Sequence, residues 1–471
     1  MQAITYYLTN ASYYILFNKC KLLNIVYTFC NAPYILYATC HDLTYLRTPM
    51  QLIAYLLEHN RFMNIFGIIL LLGIAYMCSY KRNRINYRLV MHGLFMQFVC
   101  GLAVLKTTSG QKIVLVIAEY VSKIYICADE GVGFVFGNLA NQTGPWGFIF
   151  GIKVLPVIIF FGALTGILFY YDIIQKVVSG VSMVIRPLLG TTGPETLCAV
   201  ANSFLGQTEA PLLVRHYLRN MTKSELLVVM VSGMSTISGA ILVVFVAMGV
   251  PAAHLLTASV MAIPGSIVIA KILMPESEEI KKSDEPIDEI QPAYNVLDAI
   301  AVGTSDGLKL AMNVAAMLIA FLALLAMANY ILGYGAYKIN HVFSFFGIAL
   351  RVPLLSIEQI FGYVCAPFAY CMGFTGQEAL SVGTLLGTKV AINEMVAFGN
   401  MIQMQLSERA IAIVTYALCG FSNFSCIGIQ VGGIGALVPE RRAWLSELGI
   451  YAVLGGTLSN FLSAMIVSLL I

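Results

Sequence analysis

Two carboxylates occupy apolar surroundings where a charge is expensive. Glu209 lies in "NSFLGQTEAPLLVRHYL" (Asn202–Leu218) and Glu394 in "GTKVAINEMVAF" (Gly387–Phe398). At membrane depth a carboxylate costs several kcal/mol, so such a residue marks a site by default. Gln207, Asn393 and Asn423 add amides nearby, and no arginines cluster with them. A phosphate or carboxylate ligand calls for Arg or Lys, so the ligand is uncharged or cationic. A neutral solute rich in hydroxyls and amides suits ionised carboxylates, because hydrogen bonds to a charged acceptor are strong in a low dielectric. Backbone carbonyls freed at helix breaks, with Asn and Ser/Thr oxygens, can hold a hard cation. The residue chemistry leads to a small polar solute moved together with a cation, and no further.

These residues need a bilayer-spanning framework, and composition supplies one. The chain has 471 residues, 59% hydrophobic and only 11% charged, against roughly 25% charged in soluble domains. Residues 226–270, 310–337, 410–439 and 448–471 contain no Asp, Glu, Lys or Arg. Because about 20 apolar residues cross the hydrocarbon, the pattern predicts an all-α polytopic membrane protein. About eight spans are expected, at 63–79, 89–105, 147–171, 225–248, 254–273, 310–332, 408–434 and 444–471. Residues 111–129 and 172–189 read as amphipathic interfacial helices, and 343–351 as a surface helix. Lys81, Arg82, Arg84 and Arg88 in one loop, and Arg441 and Arg442 in another, favour the cytoplasmic side. The net charge of +3 and the absence of a long basic stripe argue against a nucleic-acid partner.

Between Arg186 and Arg215 two carboxylates, Glu195 and Glu209, flank Gly206. A continuous span would bury both charges, so the reading is a re-entrant hairpin of two half-length helices breaking near Gly206. The pattern recurs over 357–401, which holds Glu358, Glu378, Lys389 and Glu394. "GMSTISG" (233–239) and "GFSNFSC" (420–426) then share G-x-S-[T/N]-x-S. Thr236 follows Glu209 by 27 residues and Asn423 follows Glu394 by 29. Interrupted apolar segments at matching places in two halves point to a transporter site. Lys389 is positioned to pair with a carboxylate. Ser224, Ser232, Ser459 and Ser463 read as interhelical glue.

The stretches "GQTEAPLLVRHYL", "MTKSELLVVMVSGMSTISGA", "PAAHLLTASVM", "INEMVAF" and "YALCGFSNFSCIGI" closely resemble the concentrative nucleoside transporter family, in the same order from about residue 63 to 471. The resemblance implies an elevator-type cation–nucleoside symporter of the plasma (inner) membrane, homotrimeric, with two opposed re-entrant hairpins in an inverted repeat. It implies that Gln207, Thr208 and Glu209 contact the nucleobase, while Glu394, Phe421, Asn423 and Cys426 build the ribose site. Asn202, Leu205, Thr236 and Ile237 match a sodium site, Leu205 and Ile237 through their carbonyls. Cys426 departs from the Ser common in the family and is a weaker hydrogen-bond partner. No cofactor is implied beyond Na+, or H+, as coupling ion. The implied partition is 1–62 as an N-terminal extension, 63–171 and 296–351 as scaffold, 172–274 and 352–471 as the two transport repeats, and 275–295 as a polar loop.

Two other classes fit the residues less well. A channel for small polar solutes would not need a carboxylate-bearing hairpin in each half. An intramembrane hydrolase needs a base beside its nucleophile, yet His41, His59, His92, His216, His254 and His341 lie away from both serine motifs, and no GxSxG occurs. The eleven cysteines show no metal-ligand spacing. The first 60 residues, rich in Tyr, Cys and Asn, lack a convincing signal peptide.

Overall fold

A computed structural model describes residues 55–140, 149–278, 294–345, 353 and 356–471. The 1–62 extension and the 275–295 loop therefore lie largely outside the described residues. What is described is all helical: α1 Arg61–Met77, α2 Tyr87–Lys106, α3 Thr108–Phe136, α4 Leu155–Tyr170, α5 Ile173–Leu189, α6 Gly193–Ala201, α7 Lys223–Ser235, α8 Gly239–Ala247, α9 Ala252–Leu273, α10 Val296–Phe345, α11 Ile357–Cys371, α12 Gly376–Ala391, α13 Glu394–Gln403, α14 Glu408–Leu418, α15 Phe424–Leu437 and α16 Arg442–Leu470.

Six helical segments among the described residues are long and apolar enough to span a membrane. They fall into two groups. Lys223–Ala247, Ala252–Leu273 and Pro439–Leu470 are 89%, 89% and 83% buried in protein, whereas Tyr55–Met77, Tyr87–Lys106 and Phe150–Tyr170 are only 28%, 22% and 28% buried. The first group is a central bundle; the second is peripheral. Helix α16 is its hub, packing on α1, α2, α7, α9, α14 and α15.

The interruption expected within 408–434 is present: the chain leaves helical geometry between Leu418 and Phe424. Two expectations need correction. The span at 310–332 is part of α10, whose 50 residues reach about 75 Å at 1.5 Å per residue. No proline interrupts residues 296–345, so this helix also absorbs the start of the expected surface helix; 346–352 lie outside the described residues. Finally, the second arm of the first hairpin is not a half-length helix. It is a 3-10 turn over Ala210–Val214, opened by Pro211, and one α turn over Arg215–Leu218.

Helix starts in the central bundle are tied by charge. Thr192 and Glu195 form a capping box on α6, and Thr222 and Glu225 form another on α7. The two boxes interlock, since the Thr192 hydroxyl donates to Glu225 at 2.7 Å. Lys271, in the last turn of α9, pairs with Glu195 at 2.8 Å and reaches Glu276 at 3.5 Å. Glu195 is thus a satisfied cap rather than a stray charge. Glu358 is also accounted for: Asn329 of α10 donates to it at 2.9 Å and accepts from the Ile357 N–H at 2.8 Å.

Helices α4 and α10 meet backbone to backbone. A Cβ on Gly307 would lie 2.9 Å from the Ile158 carbonyl oxygen, and one on Gly166 2.5 Å from that of Ala299. Gly162 and Gly303 face each other still more closely. Gly303→Ala should therefore destabilise the protein by about 1–3 kcal/mol through overpacking. Gly131→Ala in α3, where nothing lies within 4 Å, should leave the melting temperature unchanged or raise it. Thermal unfolding of both variants in detergent checks the contrast.

Candidate functional site

Four chain breaks interrupt the two halves: residues 202–209 after α6, 236–238 between α7 and α8, 392–393 between α12 and α13, and 419–423 between α14 and α15. Each frees carbonyls and N–H groups that no helix satisfies. Asparagine handles two of the N–H ends: Asn393 Oδ1 caps α13 by accepting from Val396 at 2.9 Å, and Asn423 Oδ1 caps α15 by accepting from Cys426 at 3.1 Å.

On the first two breaks stand the residues matched to a cation site. Asn202 Nδ2 donates to Ser232 Oγ at 2.8 Å, which turns Oδ1 the other way. That oxygen is buried and accepts nothing. The Thr236 hydroxyl donates to Ser232 O at 2.8 Å, keeping its lone pairs open. Gly239 N–H donates to Phe204 O at 3.0 Å and stitches the two breaks together. Leu205 and Ile237 are both buried, and no hydrogen bond to either carbonyl occurs among the described residues. Buried oxygens without donors are what a hard cation such as Na+ replaces water with, so the residues present fit one.

The residues matched to the substrate form a hydrogen-bonded chain across the two halves. Gln207 Nε2 donates to Cys426 Sγ at 3.3 Å, Cys426 N–H to Asn423 Oδ1 at 3.1 Å, and Asn423 Nδ2 to Glu394 Oε2 at 3.0 Å. Glu394 opens α13, where the helix N-terminus favours a negative charge. Gln207 Oε1 is buried without a donor. Thr208 packs on Gly433 of α15, where a Cβ would lie 2.7 Å from its methyl. Glu209 stands outside this chain: its carboxylate turns back to the Gly206 N–H at 3.2 Å. Phe421 is half-buried and packs against the apolar core. The thiol of Cys426 thus accepts from the first hairpin, a role the sequence did not indicate.

Lys389 does not pair with a carboxylate. Fully buried, it donates to Ala417 O at 2.8 Å and Asn460 Oδ1 at 2.7 Å, because the open end of α14 lies closer than any acid. Of the proposed glue serines, Ser224, Ser232 and Ser463 each bond across helices.

Two residues of this site escape sequence reasoning. Gln430, one turn beyond Cys426, donates to Met230 O at 3.0 Å and leaves Oε1 buried without a donor. Gly233 makes room for both amides, since a Cβ there would lie 2.9 Å from Gln207 Cβ and from Gln430 Nε2. Asn460 of α16 donates to Ser235 O at 2.7 Å and Cys419 O at 2.8 Å, the carbonyl ends beside the α7 and α14 breaks. Its only sequence signal is a lone amide in the charge-free stretch 448–471.

Broken helices that bring amides, a carboxylate and open carbonyls into an apolar bundle define a secondary transporter rather than a hydrolase. Family models then match in order: the N-terminus of the Na+ dependent nucleoside transporters over residues 66–139, a nucleoside recognition (Gate) region over 151–252, and the transporters' C-terminus over 254–468. The chain is 40% identical over 416 residues to a Haemophilus influenzae protein named as an uncharacterised transporter, covering 87% of this chain and 97% of that one. It is 36% identical over 419 residues to the nucleoside permease NupC of Helicobacter pylori, with 87% and 97% covered. Against solute carrier family 28 member 3 of Homo sapiens it is 34% identical over 423 residues, spanning 86% of this chain and 59% of the human protein. Solved structures of CNTnw agree: the inward-facing substrate-bound state has a TM-score of 0.78 at 37% identity, covering 87% of this chain and 97% of that one. A variant of CNTnw in an outward-facing state has a TM-score of 0.81 at 36% identity, with 87% and 98% covered. The chain belongs to the concentrative nucleoside transporter family, a family of integral membrane transporters and not of enzymes.

Asn460→Leu removes the donor to both carbonyl ends at once. It should destabilise the fold by about 2–4 kcal/mol, since buried unmet acceptors each cost about 1–3 kcal/mol. A melting temperature equal to wild type in a detergent thermal scan would contradict that role.

Proposed function

We propose that this chain imports nucleosides across the plasma (inner) membrane by symport with Na+, through elevator-type alternating access in a homotrimer. The observation that carries the proposal is the pair of buried, donorless oxygens on one loop. Asn202 Oδ1 and Gln207 Oε1 lie five residues apart in a segment with no helix of its own. A cation taken up at the first orders the backbone that presents the second.

In this reading Asn202 Oδ1, Thr236 Oγ1 and the carbonyls of Leu205 and Ile237 hold the ion. Gln207, Thr208 and Glu209 meet the nucleobase. Glu394, Asn423, Phe421 and Cys426 meet the ribose, the carboxylate accepting from its hydroxyls. Glu209 and Glu394 belong to re-entrant hairpins of opposite sense, so loading requires both halves. An ion drives accumulation only if it binds the loaded and empty states differently, and the shared 202–209 loop supplies that difference.

Residues 172–274 and 352–471 travel as the transport domain. Packing favours a fixed frame built on the glycine-seamed α4–α10 pair. Helices α1 and α2 pack instead on α9 and α16, so here they move with the transport domain, although the sequence partition places them on the scaffold side.

Proteoliposome uptake of labelled uridine and adenosine under separate sodium and pH gradients tests the proposal. The expected result is uphill accumulation driven by inward sodium alone; a response to pH only means proton coupling, and mere equilibration means a channel. Glu394→Gln should nearly abolish uptake at normal membrane expression. Thr236→Ala should raise the sodium concentration for half-maximal uptake several-fold, because losing one ligand oxygen weakens the site by about 1 kcal/mol or more. Unchanged sodium dependence in that variant would refute the ion site.

A further inference from the structure

The two repeats can be laid over each other at their breaks, with Thr236 matched to Asn423 in the shared G-x-S-[T/N]-x-S pattern. Just ahead of each hairpin break stands one polar residue: Asn202 at the C-cap of α6, seven residues before Glu209, and Lys389 in the last turn of α12, five before Glu394. Each crosses to the last turn of the helix that breaks beside it. Asn202 reaches Ser232, four residues before Thr236. Lys389 reaches Ala417 O, six residues before Asn423.

The chemistry at the two places is complementary. In the first repeat Asn202 brings an oxygen, and that oxygen and two backbone carbonyls are left without donors. In the second repeat Lys389 brings an ammonium group, and the oxygens there, Ala417 O and Asn460 Oδ1, are met at 2.8 and 2.7 Å. The ammonium is fully buried and forms no ion pair among the described residues. The ammonium meets the negative C-terminal end of α14 directly, while Glu394 attracts it from beyond ion-pair distance. A buried charge held by helix-end carbonyls is the arrangement transporters use for a coupling ion.

We propose that the Lys389 ammonium is the built-in cation of the second repeat, holding through a covalent tether the place that a mobile sodium ion takes in the first. This rests on the symport reading given above. Lys389 is a positioning residue: it fixes the α12 end of the second hairpin against the α14 break, so that Glu394 stands ready without a second ion. A tethered charge travels out and back with its domain and leaves no net charge behind, whereas a mobile ion is delivered. One mobile cation per protomer follows.

The test substitutes the first repeat's residue into the second. Lys389→Asn should convert the place into a second sodium site, alongside Lys389→Arg, which keeps a cation, and Lys389→Met, which supplies neither cation nor acceptor. Purified protein is melted across a sodium titration, and charge moved per uridine is measured in proteoliposomes. The Lys389→Asn protein should show a steeper sodium dependence of its melting temperature, with a Hill coefficient rising from about 1 toward 2, and one more charge per uridine. Lys389→Arg should follow the wild-type titration, and Lys389→Met should lose uptake at every sodium concentration without gaining a second sodium response. A Lys389→Asn protein that keeps the wild-type one-site curve overturns the proposal, as does Lys389→Met transporting like wild type. The two readings separate cleanly. A sodium response in wild type with none added in Lys389→Asn sinks only the tethered-cation assignment. No sodium response in wild type sinks the symport reading, and the tethered-cation assignment falls with it.

Discussion

A helix that breaks inside an apolar bundle leaves carbonyls no water will satisfy, and this fold depends on how those carbonyls are met. One amide does much of it. Asn460 donates to the carbonyl ends beside both the α7 and α14 breaks while its oxygen accepts from Lys389. Because α16 carries that amide and packs on α7, α9, α14 and α15, the two halves of the site are held in register from one side chain. Some acceptors remain open after this satisfaction: Asn202 Oδ1, Gln207 Oε1 and Gln430 Oε1 are buried without a donor around the candidate site, as is Gln97 Oε1 in the packing of α2.

The base of the first hairpin shows the same division. Interlocked capping boxes and the Lys271–Glu195 pair fix the starts of α6 and α7 against the end of α9. A buried pair of this kind contributes little net stability over apolar packing, but breaking it strands a charge. It therefore acts as an orientation device. The loop from Asn202 to Glu209 stands on a fixed base, with its own freedom confined to the residues that face ion and solute.

Local signals made much of this legible in the sequence. Charge-free runs gave the spans, and a carboxylate before a G-x-S-[T/N]-x-S patch in each half gave the breaks, because helix interruption is written in neighbouring residues. Some of the residues matched to a site do meet, Gln207 and Cys426 across 219 positions and Asn423 and Glu394 across 29, while Glu209 turns back on Gly206. What stayed hidden is nonlocal. Asn460 finds Ser235 across 225 positions, and nothing near residue 460 announces it. Lys389 was visible as a buried charge, but its choice of a helix end over an acid depends on where α14 stops. The short second arm of the first hairpin and the unbroken run of α10 were missed for a simpler reason: hydropathy reports burial, not where a helix ends.

The seam between α4 and α10 carries a consequence of another kind. At most positions in a protein some replacement is smaller than, or equal to, what it replaces, and sequence can drift through such steps. Gly162, Gly166, Gly303 and Gly307 each lie so close to opposing backbone that a Cβ meets it. Glycine has no smaller neighbour in the genetic code. Along this one line of contact every missense change is an enlargement, and the two helices must be inherited as a matched pair.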